Sequence, residues 1–157
     1  MNAPVEKTWT VPNRLELLPA VSRDVHDWLE THKLSSRAKY VGRLAVEEVA
    51  GNAIKYGFPQ GGDHTVTVHI AVERDYLRLD FTDDGIPFDP TARIHAPVED
   101  VLANVTEGGL GLALLSRVCA KMEYHRENGE NHLTLHVRKL EPDDTQYIEL
   151  AQPPPDP

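Results

Sequence analysis

The period of the hydrophobic positions changes repeatedly along the chain, and each change marks an element. Trp9 and Val11 lie in a short run of β-forming residues closed by Pro12, after which Leu15, Leu18, Val25, Trp28 and Leu29 recur at roughly helical spacing. This predicts a strand and then a helix reaching about His32. Ser35 and Ser36 are suited to cap a second helix, whose pattern runs to about Tyr56, interrupted by Gly42 and Gly51, before Gly57, Pro59, Gly61 and Gly62 end it. The period then becomes two: Val66, Val68, Ile70 and Val72 alternate with Thr67, His69 and Ala71, and Leu77, Leu79 and Phe81 follow a charged turn at Arg74 and Asp75. These are two half-buried strands of a hairpin.

From Asp83 to Gly111 the sequence is rich in Gly, Pro and Asp and reads as a long loop with one helical turn around Val98 to Leu102, a length usually tied to function. Leu112, Leu115, Cys119 and Met122 predict a third main helix. Short strands follow around Met122 to Arg126 and Leu133 to Val137, separated by the turn residues Asn128 and Gly129. Hairpins outnumber crossovers, which favours an α+β fold: a two-layer α/β sandwich with helices on one face of a mostly antiparallel mixed sheet. One domain is expected over residues 1–140, with 141–157 a Pro-rich, flexible tail.

Composition narrows the class. A 157-residue chain with 40% hydrophobic and 26% charged residues suits one compact domain. With 16 Lys and Arg against 25 Asp and Glu, the formal charge is −9, which disfavours direct nucleic-acid or membrane partners. Cys119 is the single cysteine, so no intrachain disulfide forms, and no stretch approaches the ~20 apolar residues of a membrane span. A cytoplasmic protein is expected.

Three constellations carry candidate chemistry. In the second helix, at about 100° per residue, Glu48 and Asn52 fall about 40° apart within an arc that also holds Val41, Leu44, Ala45 and Val49. A carboxylate and an amide on an apolar face want a cation, a ligand or ordered water. Glu47 projects elsewhere and sits four residues after Arg43, as an ordinary solvated pair. Next, Asp83-Asp84-Gly85 ends the second hairpin strand; a carboxylate fixed there can accept a hydrogen bond from an exocyclic amine such as that of adenine. A calcium loop is ruled out because Thr91 stands where a bidentate Glu is needed. Last, Glu107-Gly108-Gly109-Leu110-Gly111-Leu112 leads into a helix whose free N–H groups attract anions, yet it completes neither a P-loop nor a dinucleotide fingerprint. His132 and His136 share a strand face but lack a third ligand for a metal site, and His26 reads as a surface histidine.

Taken in order, the three constellations resemble the N, G1 and G2 boxes of the GHKL ATPase superfamily, which includes gyrase, MutL, heat-shock chaperone ATPases and histidine kinases. The resemblance spans Ala45 to about Val137. Within the superfamily the chain looks most like the bacterial anti-sigma factor serine kinases: it shares the Pro87-Phe88-Asp89-Pro90 run, a compact lid, and Gly108-Gly109-Leu110-Gly111-Leu112 at the start of the last helix.

The resemblance implies a Bergerat-type ATP-binding fold with ATP or ADP and Mg2+ as cofactors. It makes Glu48 the catalytic base and Asn52 the magnesium ligand. Asp83 becomes the reader of the adenine amine and Gly85 the residue that lets the base approach. Gly108, Gly109, Leu110 and Gly111 would border the phosphates. The implied activity is serine/threonine protein kinase: phosphorylation of an antagonist protein of the anti-anti-sigma type, control of a sigma factor, and homodimerisation. The alternatives are a non-catalytic nucleotide-binding module for partner switching and a histidine-kinase-type domain acting in trans. Lys55-Tyr56, Pro87 and Glu107 depart from the common boxes, and with Glu107 in the lid no basic group that assists transfer is identifiable.

Overall fold

The computed structural model describes residues 5–93 and 109–140. In chain order these form β1 (Val5–Pro12), a 3-10 turn (Leu15–Leu17), α1 (Leu18–Glu30), α2 (Ser36–Ala45), a π-helical turn (Val46–Ala50), α3 (Gly51–Tyr56), β2 (Thr65–Val72) and β3 (Tyr76–Asp83). A 3-10 turn (Pro90–Arg93), α4 (Gly109–Val118), β4 (Lys121–Glu127) and β5 (Glu130–Arg138) complete them. The expected turn at Val98 to Leu102, the residues Glu107 and Gly108, and the 141–157 tail lie outside the described residues.

The fold is α+β. The strands form one five-stranded sheet in the order β1-β2-β3-β5-β4. All four ladders among the described residues are antiparallel, so the expected mixed character is not seen there. Alternation decides which face is covered. Val66, Val68 and Ile70 of β2, Leu77, Leu79 and Phe81 of β3, and Leu133, Leu135 and Val137 of β5 are buried under the helices. Their polar neighbours His69, Asp80, Thr82, His132 and Thr134 are only partly buried and bond across the opposite face: Thr134 Oγ1 donates to Asp80 at 2.8 Å, and Thr8 meets His69 at 2.7 Å.

The helical layer supplies Val25 and Leu29 from α1, Val41 and Ala45 from α2, and Leu115 from α4. Ser35 caps α2, its hydroxyl accepting from the Ala38 N–H at 3.0 Å. Arg37 is buried and donates to the Val118 carbonyl at 2.6 Å, placing a cation at the negative end of α4. The sheet edge is tied to this layer by Trp9, which meets Trp28 edge-on at 5.5 Å and donates to Asp24 at 2.6 Å.

Two boundaries differ from the hydrophobic pattern. The third main helix stops at Val118, and Met122 belongs to β4 rather than to that helix, because Ala120 donates its N–H to the His136 carbonyl and carries the chain into the sheet. Gly109 and Gly111 are not in the preceding loop; they form the first turn of α4. Asn128 and Gly129 turn between β4 and β5 with φ of 53° and 77°, the two positive values that a tight hairpin turn requires.

Leu79 lies in the central strand with no exposed surface. Leu79→Ala is expected to lower unfolding stability by about 2–5 kcal/mol, read as a lower urea midpoint at unchanged slope.

Candidate functional site

The functional side chains cluster where the α2–α3 run passes beneath the start of α4 and faces the end of β3. The π turn at Val46–Ala50 interrupts the α-helical hydrogen-bond pattern exactly where the polar stripe begins. Val46 consequently joins the core, Glu48 is half-buried, and Asn52, one turn on, is 8% exposed. Glu47 points the other way, pairing with Arg43 at 3.3 Å and accepting from Ser22 of α1 at 2.9 Å.

Burial holds the Glu48 carboxyl above the usual range, while Lys55, farther along the same helix face, pulls it back down and Glu47 adds to the rise. The Glu48 side chain lies against Gly111 in the first turn of α4, and a Cβ on Gly111 would overlap its carboxyl group. Gly111 is thus a close-approach glycine: in this arrangement the Glu48 side chain occupies the space a Cβ would need and would have to move to admit one.

On the far side, Asp83 ends β3. Its Oδ1 accepts from the Gly85 N–H at 2.9 Å and from Asn131 Nδ2 at 3.0 Å. Gly85 is buried, and a Cβ there would stand 2.7 Å from the Gly57 carbonyl oxygen and 2.9 Å from Asp83 Oδ1. The Ile86 N–H donates to that same carbonyl at 2.9 Å, docking the loop on the end of α3. The tightest demand on Gly85 therefore comes from the protein's own backbone.

Asn131 was not singled out by the sequence pattern. It is 7% exposed, pairs with Asp83 in the β3–β5 ladder, and is the hub of the local network. Its Oδ1 accepts from Tyr124 at 2.6 Å and from Arg126 Nη1 at 2.9 Å, and its Nδ2 also donates to the Ile86 carbonyl at 2.9 Å. Arg126 Nη1 reaches the Gly85 carbonyl at 3.0 Å as well. A signal was available: an Asn at an inward-facing strand position, two residues before Leu133, interrupts the apolar alternation.

Between these groups lies a pocket with mostly apolar walls. Val49, Ala53, Phe81, Leu112 and Leu133 line it, Ile86 and Phe88 stand at its rim partly exposed, and Asn52, Asp83, Tyr124 and Asn131 supply polar atoms. Glu48 and Gly111 lie against each other outside the residues that line it, each one position before a lining residue, Val49 and Leu112. The structure so brings together Glu48, Asn52, Asp83, Gly85 and Gly111, with Gly109 and Leu110 in the same helical turn as Gly111. A flat apolar ring system with one donor group fits such a pocket, and a buried carboxamide oxygen at Asn52 is a suitable hard ligand for magnesium. Among the described residues no cluster of three or more His, Cys, Asp or Glu is arranged to hold a metal, and no helix is long and apolar enough to cross a membrane.

This fold and pocket define a nucleotide-binding domain of the histidine kinase-like ATPase class. The family model for the histidine kinase-like ATPase domain matches residues 11–137, and the chain belongs to that family of ATP-binding domains. It is 29% identical over 127 residues to the serine/threonine-protein kinase BtrW of Bordetella bronchiseptica, covering 77% of this chain and 88% of that protein. It is also 28% identical over 91 residues to the serine-protein kinase RsbW of Halalkalibacterium halodurans, covering 55% of each.

Two expected outcomes follow from the Glu48 environment. A raised carboxyl value means that ionised Glu48 costs the folded state stability above its folded-state value, and that the cost vanishes where both states are protonated, below about pH 4. Glu48→Gln should raise the thermal midpoint at pH 7 to 8, with the gain shrinking as pH falls toward about 4. Separately, Gly111→Ala should destabilise the wild-type chain but become neutral or stabilising, by up to about 1 kcal/mol of helix propensity, in a Glu48→Ala background. Thermal unfolding across that pH range measures the first, and a double-mutant cycle from urea unfolding the second.

Proposed function

We propose that the domain binds ATP with magnesium in this pocket and phosphorylates a serine or threonine of a partner protein of the anti-anti-sigma type, so controlling a sigma factor. The observation that carries the reading is the pairing of a half-buried Glu48, its carboxyl raised by burial, with Asn52 one turn along the same helix, opposite Asp83 across the pocket. The kinase names of both relatives support protein phosphorylation as the reaction.

In this reading Asp83 accepts the adenine amine, and the apolar walls exclude water from the base. Asn52 holds the magnesium ion, which neutralises charge on the polyphosphate when bound. Glu48 accepts the proton of the acceptor hydroxyl as its oxygen forms the new bond to the γ-phosphorus; the bond from phosphorus to the bridging oxygen breaks, and ADP leaves. A carboxyl raised toward neutrality is better matched to that proton than an ordinary surface glutamate. The first turn of α4, Gly109 to Gly111, offers backbone N–H groups to the phosphates, with Gly108 just before it. A homodimer is the expected assembly.

Purified chain, labelled ATP, Mg2+ and a candidate antagonist should yield acid-stable phosphoserine or phosphothreonine. Glu48→Ala should slow transfer by about 10²–10⁴-fold while leaving ATP bound, and Asp83→Asn should lose ATP affinity. Undiminished transfer in Glu48→Ala removes Glu48 as the base. Acid-labile product points instead to histidine, and tight ATP binding without transfer to any partner to a non-catalytic module.

A further inference from the structure

Asp83 can read a base only if its free oxygen is held facing the pocket, and the groups that hold it lie on the two strands at the far edge of the sheet. Among the described residues, both hydrogen bonds to its carboxylate fall on Oδ1, leaving Oδ2 for a ligand. Of the two donors, the Gly85 N–H belongs to the same turn. The other, Asn131, comes from β5 and is itself fixed from behind.

A carboxamide has two N–H donors and two acceptor lone pairs, and Asn131 has partners at both ends. Nδ2 serves Asp83 and the Ile86 carbonyl, while Oδ1 receives the Tyr124 hydroxyl, the Arg126 guanidinium and, at 3.4 Å, the Phe88 N–H. Flipping the amide would set its oxygen against a carboxylate and a carbonyl, and its NH2 against a cation. Arg126, the one charged donor to Oδ1, thus holds the Asn131 amide in this orientation together with the Phe88 N–H and the Ile86 carbonyl, and the amide determines which oxygen of Asp83 is committed. Charge assistance runs in one direction along the chain from guanidinium through amide to carboxylate. Arg126 also bonds the Gly85 carbonyl at 3.0 Å, so one side chain fixes both the amide and the turn.

We infer that Asn131 and Arg126 are positioning residues that set purine selectivity, by holding Asp83 as an acceptor-only group toward the pocket; this rests on the reading of Asp83 proposed above. Adenine presents a 6-amino donor to such a group, whereas guanine presents a 6-oxo acceptor. A locked acceptor binds the first and repels the second. A carboxylate released from Asn131 can rotate away, weakening adenine and relieving the clash with guanine together. A merely structural role would lower the affinity for both nucleotides alike.

The test is the ratio of ATP to GTP affinity, from competition against a fluorescent ADP analogue, in the full chain and in Arg126→Ala, Arg126→Lys, Asn131→Ala and Asp83→Asn. Arg126→Ala and Asn131→Ala are each expected to lower the ratio by about tenfold, the size expected for releasing one charge-assisted contact. Arg126→Lys should be intermediate, and Arg126→Ala should change nothing further in an Asp83→Asn background. Thermal unfolding checks that each variant is folded; if Asn131→Ala is not, the exposed Arg126 decides. A ratio unchanged in Arg126→Ala while Asp83→Asn collapses it overturns the positioning role and leaves the reading of Asp83 standing. A ratio unchanged in Asp83→Asn overturns both.

Discussion

The contact between the Glu48 carboxyl and the first turn of α4 constrains the rest of this molecule. A carboxylate between two helices loses solvation, and it lies where Gly111 has no side chain and the helix beneath it changes pitch. The π turn places Val46 and Val49 in the core while Glu48 stays half-buried. With α4 seated on Glu48, Leu112 meets the pocket wall and Leu115 drops into the core. Moving α4 away would ease Glu48 but open the apolar wall, so the cost at one carboxylate is offset by the burial of leucines that depend on the same helix.

The opposite side of the pocket solves a similar problem differently. Asp83 is stabilised by donors, the Gly85 N–H and the Asn131 amide. The turn carrying Gly85 packs directly on the Gly57 carbonyl at the end of α3. The helix bearing Glu48 and Asn52 is thus fixed at its C-terminal end to the loop bearing Asp83. Distances across the pocket are set by backbone contacts, and the side chains that face a ligand do not have to hold the walls apart.

Much of this was legible in the sequence because it rests on local pattern. The alternation of Val66 to Ile70 and Leu77 to Phe81 gave the central hairpin, and the Ser35 cap and the helical run to Tyr56 placed Glu48 and Asn52 on one helix. Less legible was whatever depends on non-local packing. The end of α4 at Val118 follows from a backbone bond between Ala120 and His136, which no helical period reports, so Met122 fitted the helix and the strand equally well. Gly111 reads as the end of a loop because its contact with Glu48, distant in sequence, acts through the tertiary fold. Asn131 shows in the sequence only as a break in the apolar alternation of its strand; its role depends on the cross-strand register with Asp83, 48 residues away, which local pattern does not report.

The charge balance acquires a different meaning once the side chains are placed. A net charge of −9 argues against long polyanions, which need many cations spread over a surface. A single nucleotide needs positive potential at one place only. Among the described residues, Lys55 pulls the Glu48 carboxyl back down and Arg126 reaches Asp83 through Asn131. In the proposed reaction the phosphates would be met by backbone N–H groups at the start of α4 and by an ion held at Asn52, charges whose positions do not depend on long flexible side chains. In that reading an acidic protein holds ATP because the anion is met by backbone N–H groups and an ion at one place rather than by a field of side-chain cations.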